Sequence, residues 1–380
     1  MATLMAEYRV CVLSMFFLML FFLWMDISLY YKVQEIKPHE LYSENIVGSG
    51  NSENKDNPLT VPRPSGTEPS ENGGSVSSAV KHGELFSPFK GLSVKMMMMD
   101  QTNNYVFTPL AEIFCDMTNF TYNFPSITPN LISFVGILWA FLAGKLVTYD
   151  SIAIHRLSVL FFQFRTFCDA LDGIVARAHL GITHHVSLSN TPGYIVDGIA
   201  DTIGFLGYLI GCYIFLRRTL HKHNRYTSPQ YLPLQHFHEE DKISQSSFVI
   251  AQYMPSKLIW TSRQVFFVVT CFALQLAISC LFWNRYIEAY HKLLEHPPAT
   301  QAQLDFQNSV LKSSIMWVIM WFWRISNAQS LMQMLLISVY VNRLWTFLIW
   351  IQYIGFFELL TLSFFTEAHL NHVKSVRPLG

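Results

Sequence analysis

The sequence predicts an all-α integral membrane protein: a six-helix bundle preceded by an N-terminal signal-anchor helix and a disordered tether. Three observations carry that prediction. The composition is 51% hydrophobic and 15% aromatic against only 14% charged, too little charge for a soluble protein and enough apolar length for several membrane spans. The apolar residues gather in seven long runs separated by polar loops, most of them long enough to cross a bilayer. Four carboxylates, Asp169, Asp172, Asp197 and Asp201, stand inside otherwise apolar sequence. An ionised carboxylate near hydrocarbon costs several kcal/mol unless it is paired or bound to a cation, so such residues read as functional by default. The 26 basic and 26 acidic residues cancel, which argues against a nucleic-acid partner.

Taken in order, residues 1–31 read as a short cytosolic N-terminus and an anchor: residues 10–25 are continuously apolar and no small-residue cleavage site follows. Residues 32–99 form a lumenal tether. Their Ser, Asn, Gly, Pro and Glu content (SGNSENKDNPLTVPRPSGTEPSENGGSVSS) is too polar to offset ordering entropy. In residues 100–127, YVFTPLAEIFCDMTNF spaces its apolar residues at roughly helical intervals, as in a helix lying along a membrane surface. Residues 128–366 form the six-helix membrane domain. Thr128 is a natural N-cap and Pro129 suits the first helical position. Spans are expected at 131–149, 152–176, 194–216, 264–283, 310–337 and 340–366, with a tail at 367–380.

Loop charge sets the orientation. The 217–263 loop carries Arg217, Arg218, Lys222, Arg225, Lys242, Lys257 and Arg263, whereas 284–308 has only Arg285 and Lys292. A cytosolic 217–263 loop satisfies the positive-inside rule and turns the tether and all four aspartates toward the lumen. The sequon Asn119-Phe120-Thr121 falls on that side, close to the membrane. The six cysteines form no CxxC pair and mostly read as inert buried thiols. Cys115 and Cys168 share a membrane side, where a disulfide between them is the minor alternative.

On a helix, Asp169 and Asp172 share a face with Gly173 and Ala176, and Asp197 and Asp201 share a face of the next helix. Two antiparallel neighbours bring these faces together. Arg177 is the only basic side chain counted within the cluster, so protein charge alone leaves it unneutralised. Carboxylate oxygens without thiolate ligands suit Mg²⁺ or Mn²⁺, and their number can hold two ions. Such ions hold substrate phosphates and stabilise charge on a leaving phosphate.

The pattern D169-x2-D172-G173-x2-A176-R177 followed by G193-x3-D197-x3-D201 resembles the signature of the CDP-alcohol phosphotransferases. The TPN at 128–130 is similar to that family as well. The resemblance covers about 110–366, with one departure: residues 178–192, including His179, His184 and His185, make a longer loop than the family usually has. It implies attack by an alcohol on the phosphate of a CDP-linked alcohol, releasing CMP. By position, Asp169, Asp172, Asp197 and Asp201 supply the metal site, Asp201 is also the base, and Gly173, Ala176, Arg177 and Gly193 line the CMP pocket. With its anchor and lumenal site, the chain most resembles the insect-type ceramide phosphoethanolamine synthases within that family. That resemblance implies CDP-ethanolamine as donor, ceramide as acceptor, Mn²⁺ or Mg²⁺, and a multi-pass Golgi membrane protein.

Other readings stand beside this one. Diacylglycerol or inositol would be acceptors for the same chemistry; membrane prenyltransferases also hold a diphosphate through aspartates, but on distant helices. A divalent-cation transporter would distribute acidic residues through the bundle, whereas here they gather at one end. Arg324 and Glu358, in the last two spans, read as a mutual or backbone-satisfied pair, with Arg324 on a substrate phosphate as the sharper alternative. Gly207 and Gly211 form a GxxxG that suits close helix packing within the chain, a homodimer being its other use. Met96 to Met99 suggests no chemistry. The topology predicts that a glycosylation site introduced near Ser65 is used in cells; an unmodified product would return the active site to the cytosol.

Overall fold

In the computed structural model, residues 2–35, 92–180, 192–227, 261–296, 298 and 300–376 are described, and no strand occurs among them. Most of the tether and of the 178–192 loop, with His184 and His185, lies outside the described residues. Helix α1 (Ala2–Glu35) is followed by α2 (Val94–Met98), a π-helical turn (Asn103–Phe107), α3 (Thr108–Thr118) and α4 (Phe120–Asn123). Then come α5 (Pro129–Val147), α6 (Ile152–Leu180), α7 (Pro192–Thr227) and α8 (Ser262–Leu294). The chain closes with α9 (Gln301–Leu311), α10 (Ser314–Ser326), α11 (Ala328–Tyr340) and α12 (Leu344–Val376).

Capping chemistry explains several of these boundaries. The Thr128 hydroxyl accepts from the Leu131 N–H and Pro129 follows, so α5 begins where the sequence places it. Thr261 and Gln264 form a reciprocal capping box that opens α8. The expected 310–337 span is instead three helices. Asn327, in extended backbone at ψ 160°, ends α10, and its side chain accepts from the Ser330 N–H to start α11. The last span begins at Leu344, after Asn342 turns the chain at φ 60°.

Five segments, Leu13–Glu35, Pro129–Val147, Ile195–Leu220, Ser262–Leu294 and Leu344–Val376, are long and apolar enough to cross a membrane. Helix α6 is 29 residues long but falls outside that set, being rich in charge: Arg156, Arg165, Asp169, Asp172 and Arg177 all lie on it. It must be shielded by its neighbours, and α5 provides most of that cover.

Glycine allows α5 to approach α7. A Cβ on Gly211 would lie 2.1 Å from the Gly144 carbonyl oxygen, and one on Gly144 would lie 2.7 Å from that of Gly207. The GxxxG is therefore consumed by an intrachain crossing. Around it Phe162, Tyr208, Phe215, Phe272, Leu335 and Trp345 form one apolar core.

A second core ties α1 to the rest. Leu29 and Val33 of α1 pack with Met96, Met97 and Met98 of α2 and with Tyr290 and Trp323. The methionine run is therefore a flexible apolar plug. At its edge Asp26 of α1 forms a buried ion pair with Arg324 of α10 at 3.2 Å, the two side chains 3% and 0% exposed. Asp26 also accepts from the Tyr105 hydroxyl at 2.8 Å, the Trp321 indole N–H at 2.9 Å and the Gln101 amide at 2.5 Å. The Arg324 guanidinium lies 5.0 Å from the centre of the Tyr105 ring. Arg324 is thus paired with the anchor rather than with Glu358, which accepts from the Ser326 hydroxyl. Neither half of the pair tolerates loss of the other, because a single buried charge costs more than the pair contributes. Arg324→Leu is expected to destabilise the protein by about 3–5 kcal/mol, and adding Asp26→Asn to recover part of that. Thermal unfolding in detergent reads the effect; an unchanged midpoint in Arg324→Leu contradicts it.

Candidate active site

Helices α6 and α7 present the aspartates to each other without packing closely together: each lies chiefly against α5. The separation leaves a cleft lined by Ser133, Gly136, Ile137, Arg165, Asp169, Asp172, Asp197, Ala200 and Asp201. Helical periodicity aims Asp169 and Asp172 from one wall and Asp197 and Asp201 from the other.

The four carboxylates do not stand alike. One oxygen each from Asp169, Asp197 and Asp201 lies within 4.8 Å of the others, a spacing that a single cation can bridge. Asp172 is turned to α5, where its Oδ2 accepts from the Ser133 hydroxyl at 2.5 Å. Asp197 Oδ1 is sealed from solvent and has no hydrogen-bond partner among the described residues. A buried carboxylate oxygen without a donor is the kind of atom a metal ion satisfies. The donor set, oxygens only and anionic, fits Mg²⁺ or Mn²⁺.

The counter-charge is Arg165, not Arg177. Arg165 lies one helical turn before Asp169, and its Nη2 forms an ion pair with Asp201 across the cleft while sitting 3.8 Å from Asp169 Oδ1. Its guanidinium is 4.9 Å from the centre of the Phe205 ring and 5.8 Å from that of Phe162. The count of basic groups within the motif missed it because it precedes the motif; its spacing of four from Asp169 was the available signal. Arg177 Nη1 is 3.4 Å from where a Cβ on Gly173 would stand, so Gly173 makes room for it. Cβ atoms on Gly193 or Gly198 would meet nothing within 4 Å among the described residues. Ala176 is half-buried on α6.

Two charged residues ahead of α3 feel the cleft electrostatically. Burial pushes the Lys95 ammonium of α2 down, Arg177 adds to that, and Asp197, Asp169 and Asp172 oppose it. Lys95 thus stands in the field of the aspartates. Burial raises Asp100 to about 6, against the Asn103 N–H that bonds its carboxylate at 2.8 Å; Arg324 also lowers it, and Asp169 raises it. Asn119, in the left-handed region at φ 47°, is exposed at a turn. Cys115 and Cys168 are both free thiols within one apolar cluster.

A family model described as ceramide phosphoethanolamine synthase matches residues 5–376. A Drosophila melanogaster protein named ceramide phosphoethanolamine synthase is 36% identical over 284 residues, covering 75% of this chain and 69% of its own length. No solved structure matches the chain.

The geometry predicts that the purified protein binds Mn²⁺ without substrate, and that Asp197→Asn weakens this at least about tenfold, since one ligand of a small anionic set is lost. Electron paramagnetic resonance of free Mn²⁺ measures it directly. Equal affinity in the variant would remove Asp197 from the site.

Proposed function

Because the chain belongs to the ceramide phosphoethanolamine synthase family and is an enzyme of the phosphotransferase class, we propose that it transfers phosphoethanolamine from CDP-ethanolamine to the primary hydroxyl of ceramide. The products are ceramide phosphoethanolamine and CMP. The observation that carries the mechanism is the facing of Asp169, Asp197 and Asp201 across a cleft that also holds a fixed guanidinium.

Asp169, Asp172, Asp197 and Asp201 would hold one or two divalent ions, Asp172 being the one that also accepts from the Ser133 hydroxyl. When bound, the ions neutralise the donor diphosphate and stabilise charge on the departing CMP phosphate. Asp201 is the base. Its side chain is a third exposed, against 19% for Asp169, which leaves it within reach of an acceptor lipid. It takes the proton of the ceramide primary hydroxyl, whose oxygen attacks the phosphorus bearing ethanolamine; the bond to the bridging oxygen breaks and CMP leaves. A base surrounded by cations starts deprotonated without needing a raised pKa. Gly173, Ala176, Arg177 and Gly193 form the cytidine side of the site, Gly193 meeting no neighbour among the described residues.

The lumenal orientation and Golgi residence belong to the same proposal. They are supported by the contrast in loop charge and by the anchor. Diacylglycerol, inositol, CDP-choline and CDP-diacylglycerol are the competing substrates, and one panel separates them. Purified enzyme with Mn²⁺ or Mg²⁺ is expected to release CMP from CDP-ethanolamine with ceramide and from no other pairing at comparable rate. CMP release with diacylglycerol instead would change the acceptor, and none with any pair would sink the enzyme mechanism. Asp201→Asn is expected to reduce kcat by at least about a hundredfold, the usual contribution of a positioned base, while CDP-ethanolamine still binds. Loss of binding with turnover preserved would refute the base.

A further inference from the structure

Arg165 is a charged group whose hydrogen-bonding capacity is half used. The residue is 3% exposed. Its Nη2 is spent on Asp201, whereas Nη1 is sealed from solvent with no hydrogen-bond partner among the described residues. The guanidinium cannot swing away to find one. It is stacked near Phe205 and Phe162, and a Cβ on Gly204 would stand 3.5 Å from its Nε. Arg165 itself lines the cleft, on the α6 wall with Asp169 and Asp172 and opposite Asp197 and Asp201, so the cleft is the space beside it that a ligand can enter.

A guanidinium does not shed its charge, and a buried charged donor without an acceptor is costly, so the arrangement is complete only when an acceptor enters the cleft. That acceptor should be an oxyanion. The carboxylates around it repel a phosphate; one rigid cation on the same wall offsets that repulsion and offers a planar arm suited to phosphate oxygens. A residue present only to neutralise Asp201 would need neither the fixed plane nor the second arm.

We propose that Arg165 binds the phosphate of the cytidine nucleotide through Nη1 while Nη2 keeps Asp201 aimed into the cleft. This rests on the proposed donor chemistry, and it makes Arg165 both a phosphate ligand and a positioning residue for the base.

Calorimetric titration of the full-length protein, at fixed Mn²⁺, with CDP-ethanolamine, CMP and cytidine tests it. Arg165→Gln is expected to weaken both phosphate-bearing ligands about ten- to hundredfold, as loss of a charge-assisted bond does, while cytidine and Mn²⁺ bind as in the wild type. Arg165→Lys, which keeps the charge, should recover part of the loss. Unchanged affinity for CMP in Arg165→Gln overturns the assignment, and so does an equal loss for cytidine, which would mark a structural role. A wild type that binds CMP through Arg165 yet refuses CDP-ethanolamine supports the phosphate contact and removes ethanolamine from the proposed function.

Discussion

Burying charge between apolar helices is the constraint that organises this protein, and three of the buried charges are met by a group from another element. Asp201 of α7 meets Arg165 of α6 across the cleft. Asp172 of α6 meets Ser133 of α5. Asp26 of the anchor meets Arg324 of α10. In a medium of low dielectric such pairs are more costly to break than they are favourable to make, so they fix which helices sit together rather than add much net stability. The consequence is that α5, which carries little charge itself, becomes the platform on which both aspartate-bearing helices are held at working separation.

The anchor and the residues after the tether share in this arrangement. Asp26, Gln101, Tyr105 and Trp321 form one polar knot around Arg324, and the methionine-rich α2 fills the space beside it. Asp100 feels both Arg324 and Asp169, and Lys95 feels the cleft carboxylates. The residues just before α3 therefore stand within the electrostatic reach of the site, while α1 is tied to them through Asp26.

How much of this was legible beforehand depends on the range of the interaction involved. Local chemistry was: the Thr128 cap, the helix pairs carrying the aspartates and the cleft between them all follow from spacing within a few turns. Partners distant in sequence were not. Nothing in a GxxxG names Gly144 as its counterpart, and nothing in a lone Arg324 points to an aspartate near the other end of the chain. The break at Asn327 escaped because hydropathy averages over a residue whose capping acts at one position. Arg165 escaped for a different reason, standing one turn outside a motif that drew the count of charges inward.

In the proposed mechanism the aspartates hold a divalent ion against the phosphates of a cytidine donor, in a cleft where Arg165 already supplies a fixed positive charge. Hyperfine coupling between protein-bound Mn²⁺ and the ³¹P nuclei of CDP-ethanolamine measures that contact in a single spectrum. The account predicts a ³¹P coupling of directly ligated phosphate in the wild type that disappears in Asp169→Asn and Asp197→Asn. A Mn²⁺ signal without phosphorus coupling in the wild type, or one that survives both substitutions, would contradict it.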